Sequence, residues 1–147
     1  MATLDHCDRV KADLIAEVLR RFGSTRLRAQ GSSMLPAIRP GDDLLVRRSD
    51  HQDAEPGDVI AFNREGRLFL HRMVRRDSNG RIVTQGDSLS VPDAAVHESE
   101  FLGNVTEIRR AGKTISFQNS FFERAAARVF RRSQTCAALF LKFATAK

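Results

Sequence analysis

The 147-residue sequence contains no tryptophan, no tyrosine and only two cysteines, and each scarcity excludes something. Cys7 and Cys136 lie in the two terminal segments. Neither has metal-ligand spacing to a second Cys or a His, although His6 adjoins Cys7. Two isolated thiols suit a reducing compartment and argue against a disulfide scaffold. No metal or cofactor is implied. No stretch approaches the roughly 20 apolar residues of a membrane span. The first residues, Met1-Ala2-Thr3-Leu4-Asp5-His6, lack a charged region followed by an apolar run, so no signal peptide is expected. The expected location is cytoplasmic. The formal charge of +6 is a moderate excess. With no Tyr or Trp to stack on bases, and no helix-turn-helix, zinc-finger or RNA-binding signature, no nucleic-acid partner is expected.

What is present suits one domain of ordinary size with a core of its own. Residues 5–22 carry a helical pattern. Val10, Leu14, Val18, Leu19 and Phe22 share one face, which is the face expected to pack, and charged residues fill the other. Arg20 and Arg21 occupy the last turn, and Gly23 is a stop signal. From Thr25 to residue 118 the pattern is β. Leu44-Leu45-Val46 and Val59-Ile60-Ala61-Phe62 are short apolar runs bounded by Gly-Asp turns. Arg67–Arg76 and Arg81–Gln85 flank Asp77-Ser78-Asn79-Gly80, whose Asn-Gly pair signals a hairpin. Phe101–Ile108 and Thr114–Gln118 flank Ala111-Gly112-Lys113, a second hairpin. Helix returns after residue 118. Ser120-Phe121-Phe122-Glu123 has capping-box spacing, and Arg124, Arg128, Arg131 and Arg132 form a basic stripe opposite Phe122, Ala126, Val129 and Phe130. The expected organisation is a mainly β domain over 1–118, including its N-terminal helix, and a basic amphipathic extension over 119–147.

The residues that bear chemistry lie inside the β region. Ser33 stands on a proline-bounded turn, Gly31-Ser32-Ser33-Met34-Leu35-Pro36, with Gly41-Asp42 following. A serine before proline ordinarily serves a turn, and a serine hydroxyl needs a base before it acts as a nucleophile. His71 lies in an apolar strand pattern, where alternation puts Phe69, His71 and Met73 on one face and Leu68 and Leu70 on the other. Between Phe and Met an imidazole is partly desolvated, which favours its neutral, basic form. Asp42 and Asp58, each in a Gly-Asp turn before a strand, read as structural.

Five stretches occur in order over residues 28–108: Gly31 to Asp42, Gly57-Asp58-Val59-Ile60-Ala61-Phe62, His71-Arg72-Met73-Val74, Thr84-Gln85-Gly86-Asp87-Ser88 and Phe101-Leu102-Gly103-Asn104-Val105. Together they resemble the superfamily of serine peptidases that contains signal peptidase I and the LexA-type self-cleaving repressors. The resemblance implies a folded or barrel-like β-sheet domain with flanking N- and C-terminal helices, with Ser33 as nucleophile and the His71 position as base. Most bacterial signal peptidases and LexA-type proteins carry lysine at that position. The histidine here resembles the archaeal and endoplasmic-reticulum enzymes, whose motif is His-Arg-Val. In those relatives the acid lies a few residues beyond the Gly-Asp motif, which maps best onto Asp93. Asp87 has the stronger motif match and an alternative role in a turn. Many family members place a hydroxyl two residues before the nucleophile, where this chain has Gly31.

The function expected from this resemblance is a serine endopeptidase of signal-peptidase type. It would act on a leader, signal or precursor peptide with small residues near the cut. Two alternatives stand beside it: a non-catalytic peptide-binding module on the same fold, and a LexA-like self-cleaving regulator. The latter finds only Phe22-Gly23 and Gln30-Gly31 as X-Gly bonds upstream of Ser33. The C-terminal basic stripe suggests peripheral contact with anionic lipid.

Overall fold

The computed structural model describes residues 2–115, with side chains from residue 8 onward. Helix α1 (Ala2–Phe22) ends where Gly23 enters the left-handed region at φ +72° and its N–H closes on Leu19 O at 2.9 Å. Glycine reaches that conformation without a steric penalty and so terminates the helix. Seven strands follow: β1 (Ser24–Arg28), β2 (Asp43–Arg47), β3 (Val59–Arg64), β4 (Arg67–Arg76), β5 (Ile82–Gln85), β6 (Phe101–Arg110) and β7 (Lys113–Ile115). A short 3-10 turn, His51–Asp53, lies between β2 and β3. The described fold is thus a mostly antiparallel sheet with one α-helix.

The strands run in the spatial order β1-β2-β6-β3-β4-β5, with β7 also paired to β6. β6 reaches three partners by using both of its edges, with β2 along one and β3 and β7 sharing the other. Its first residues pair with β3, its middle and end with β2, and Ile108 to Arg110 with β7. The hairpin expected at Asn79-Gly80 joins β4 to β5. There the Asp77 carboxylate accepts the N–H groups of Asn79 and Arg81, both at 2.9 Å. β4 pairs with β3 from Arg67 to Arg72 and with β5 from Arg72 to Arg76. Its Arg67–His71 edge, like the outer edge of β1, has no strand partner among the described residues.

Two clusters fill the interior. One gathers Ile15 and Leu19 of α1 with Ala29, Met34, Ile38, Leu44, Val46, Val59, Ala61, Val105 and Ile108. The other gathers Ala54, Ile60, Phe62, Met73, Ile82 and Val96, with Phe69 and Phe101 at its margin. Leu68 and Leu70 join the first and Phe69 the second, as strand alternation requires.

The packed face of α1 corrects the sequence expectation. Ala12, Ile15 and Leu19 are buried, whereas Val10, Leu14 and Phe22 are exposed. Ala12, small and easily passed over in a hydrophobicity pattern, marks the true inner stripe with Ile15 and Leu19 at i+3 and i+7. The expected strand to Gln118 is described only as far as Ile115. The domain limit at 118, the basic extension over 119–147, the side chain of Cys7 and all of Cys136 lie outside the described residues. No helix among the described residues is long and apolar enough to cross a membrane.

Candidate active site

Ser33 rides on a loop between β1 and β2 whose ends are tied together. Ala29 N–H donates to Asp42 O at 2.8 Å, and Gly41 N–H donates to Ala29 O at 3.0 Å. Met34, Leu35 and Ile38 are buried and fasten the loop from below. Asp42 fastens it from the side. Its carboxylate accepts Arg39 N–H at 2.8 Å and both arms of Arg110 of β6, at 2.8 and 2.7 Å, while Arg110 also reaches Ala37 O at 3.1 Å. The structural role expected of Asp42 is the one its contacts describe. Asp58 likewise accepts Glu55 N–H at 2.9 Å within its own turn.

A third hold comes from the segment after β5. Ser88 N–H donates to Ser33 O at 2.9 Å, and Ser88 Oγ donates to Ser32 O at 2.9 Å. Gly86 is pressed against the same carbonyl. This segment is itself pinned by Asp87, which has no exposed surface and receives Arg72 through Nε and Nη2 at 2.8 and 2.7 Å. Arg72 also donates to Gly57 O at 2.8 Å. Such a forked, buried pair fixes direction as well as charge. The Ser33 loop, the strand carrying His71 and the Gly-Asp turn are therefore locked to one another.

His71 lies on β4 opposite Ile60 and is buried, its ring packed obliquely against Phe62 and Phe69 at centroid distances of 6.2 and 6.0 Å. Its Nε2 lies 3.1 Å from Ser33 Oγ and its Nδ1 lies 2.7 Å from Asp93 Oδ2. An ionised carboxylate only accepts, so Nδ1 carries the proton toward Asp93 and leaves Nε2 to accept from the Ser33 hydroxyl. The structure thus brings Ser33, His71 and Asp93 into one hydrogen-bonded line, and it engages Asp87 with Arg72 instead. Lys113 sits on β7. Lys11, which sequence order sets apart from the core, lies on the α1 wall of the groove beside Ser33, but the side chain in hydrogen-bond contact with the serine hydroxyl is His71.

Sequence reasoning missed Thr84. Its hydroxyl, fully buried on β5, donates to Asp93 Oδ2 at 2.7 Å, the same oxygen that faces His71. Asp93 N–H in turn donates to Thr84 O at 2.8 Å. Thr84 opens the Thr-Gln-Gly-Asp-Ser stretch, so its position was marked, but nothing in the sequence pattern aims its hydroxyl. Burial pushes the Asp93 carboxyl up. The hydrogen bonds from His71 and Thr84, with the charges of His71 and Arg64, outweigh burial and hold it below the ordinary carboxylate value.

Gly31 takes φ +75°. A serine or threonine at that position would be strained in this left-handed backbone, so the hydroxyl found there in many relatives has a steric reason to be missing. The Ser33 hydroxyl opens onto a groove of about 640 Å³ walled by α1, the edge of β1, the Arg67–His71 edge of β4 and the Ser33 loop. Leu14 and Val18 of α1 line it, so part of the apolar stripe first expected to pack inward faces this groove instead. Among the described residues no group of His, Cys, Asp and Glu side chains is placed to hold a metal ion.

No curated protein matches the chain. The family model for Peptidase S24-like proteins matches residues 5–106, a span that holds the Ser33 loop, β4, the Gly-Asp turn and Asp93. On that match, which covers well over half of the sequence, the chain belongs to the Peptidase S24-like family, within the serine peptidase superfamily of the LexA-type proteins and signal peptidases.

Proposed function

We propose that the chain is a Ser-His-Asp endopeptidase of signal-peptidase type, acting on an extended leader, signal or precursor peptide. The observation that carries this reading is the unbroken line from Ser33 Oγ through His71 to Asp93 Oδ2, at 3.1 and 2.7 Å. Both distances lie within hydrogen-bond reach for a nucleophile, its base and the group that orients the base.

In this mechanism Ser33 Oγ attacks the scissile carbonyl carbon as His71 Nε2 takes the hydroxyl proton. Asp93 stabilises the imidazolium, with Thr84 holding the carboxylate on line. The Ser33 backbone N–H donates to the oxyanion of the tetrahedral intermediate. Collapse of the intermediate breaks the C–N bond, and His71 returns its proton to the leaving amine. Water, deprotonated by His71, then hydrolyses the acyl-enzyme. The substrate lies as an added strand along the open edges of β1 and β4, where main-chain hydrogen bonds supply affinity. The basic segment over 119–147 is proposed to hold the enzyme against an anionic membrane surface.

The test uses the full chain with an internally quenched Ala-x-Ala peptide and a fluorophosphonate probe. The wild-type protein cleaves the peptide and is labelled at Ser33, and Ser33→Ala and His71→Ala remove both activities. Cleavage that survives both substitutions overturns the assignment. Absence of cleavage and labelling in the wild type favours the peptide-binding module, and a shortened chain mass after incubation at high pH favours self-cleavage.

A further inference from the structure

Asp93 sits in the least regular part of the described chain. From Gly86 to Glu100 there is neither helix nor strand, only the isolated bridge between Val96 and Ile82. A carboxylate that must meet a histidine ring within a few tenths of an ångström needs more support than a loop provides. The support comes from Arg64, at the end of β3. Its Nη1 donates to Ala94 O at 3.2 Å and its Nη2 to Ala95 O at 3.1 Å, so the guanidinium grips the two residues directly after Asp93.

The guanidinium is itself aimed. Glu100, at the far end of the same loop, receives Nε at 2.9 Å and Nη2 at 3.0 Å. Its Oε2 also accepts His97 N–H at 2.8 Å. The Arg64 side chain lies over the Phe62 ring, 5.1 Å from the centroid, and Phe62 packs obliquely against His71. One planar group therefore ties the residues just after Asp93 to the far end of the loop and rests on the ring beside His71. The Arg64 charge also contributes to holding Asp93 ionised.

We infer that Arg64, clamped by Glu100, is a positioning residue that sets the rate of the chemical step by delivering Asp93 to His71; the inference rests on the Ser-His-Asp reading above. Arg64 touches none of the reacting atoms. Its effect depends on the fork of donors rather than on charge, because a lysine keeps the charge but cannot grip two carbonyls and a carboxylate at once.

The experiment measures fluorophosphonate labelling of Ser33 in the full chain, separating the maximal inactivation rate from the half-saturating probe concentration, with the thermal midpoint of each variant recorded. Arg64→Lys and Glu100→Gln each lower the maximal rate by about ten- to a hundredfold, the cost of a misplacement near 1 Å. The half-saturating concentration stays within about twofold, since the probe's binding surface is untouched. In an Asp93→Asn background neither substitution costs anything more, because the group they position is already lost. A purely structural ion pair predicts the opposite, the same fractional loss with and without Asp93, and that result overturns the inference. So does an Arg64→Lys protein that labels at the wild-type rate. If Arg64→Lys melts below the assay temperature, the isosteric Glu100→Gln variant decides by the same criteria. Labelling that persists in Ser33→Ala refutes the Ser-His-Asp reading, and this inference with it. Full dependence on Ser33 with additive Arg64 effects refutes the inference alone.

Discussion

A methyl group on Gly86 would stand 2.7 Å from the carbonyl oxygen of Ser33. Both sides of that contact are backbone, so neither gives way cheaply. Ser88 N–H bonds to the same oxygen at 2.9 Å. The Gly-Asp turn is thereby a backstop for the Ser33 loop, set by close approach of two backbone segments.

Gly86→Ala is therefore expected to displace Ser33 from His71 while leaving the sheet folded. Labelling of Ser33 by the fluorophosphonate probe should slow by about a hundredfold, the scale of a misplacement near 1 Å. The far-ultraviolet circular dichroism should match the wild type. Labelling at the wild-type rate would show that the loop tolerates the shift.

The two aspartates of the region are expected to separate cleanly by substitution. Asp87→Ala leaves the Arg72 guanidinium buried without its carboxylate, and breaking such a pair costs about 3–5 kcal/mol. Urea unfolding should show that loss directly. Asp93→Asn removes only a charge at a partly buried site next to His71, so stability should change by about 1 kcal/mol or less while labelling falls steeply. If Asp87→Ala is as stable as the wild type, the clamp assigned to Arg72 is wrong.

The turn chemistry explains why so much of the fold was legible. Pro-Gly-Asp before β3 and Asn-Gly after β4 set strand limits within a residue or two, and strand parity sorted Phe69, His71 and Met73 from Leu68 and Leu70. Ser33, His71 and Asp93 are singled out by the family resemblance rather than by spacing, and Asp93 is preferred to Asp87 by that resemblance alone. What stayed hidden depends on contacts far apart in the chain. Arg64 reaches Glu100 across 36 positions and Arg110 reaches Asp42 across 68, and no periodicity encodes either pairing. The hydroxyl of Thr84 is aimed by the β4–β5 register, which includes a bulge between Met73 and Arg75 that spacing does not reveal.

Acid should weaken the fold through Asp93 in a defined window. The carboxyl lies below its ordinary value of 3.8 in the folded protein, so the unfolded chain binds its proton first as pH falls. The stabilisation is fully present above that ordinary value and is lost as the pH drops through the lowered folded-state value. Glu100 follows the same sign, its carboxyl held down chiefly by the hydrogen bond from Arg64. Urea midpoints measured between about pH 5 and pH 2 should fall more steeply for the wild type than for Asp93→Asn. Parallel slopes would mean that the Asp93 contacts contribute nothing to folding.

The reassigned face of α1 yields a direct comparison of two apolar residues five positions apart. Ile15 is 7% exposed and packs with Ala29, Met34 and Ile38 beneath the Ser33 loop, whereas Val10 is 54% exposed. Ile15→Ala removes buried methyl groups and leaves a cavity, for a loss of about 2–4 kcal/mol in urea unfolding. Val10→Ser changes a solvent-facing side chain, and the expected change is within about 0.5 kcal/mol. The cavity lies directly under Met34 and Ile38, so Ile15→Ala should also loosen the loop and slow labelling of Ser33, while Val10→Ser should leave that rate alone. Equal losses of stability from the two substitutions would restore the helix face that hydrophobic spacing alone suggested.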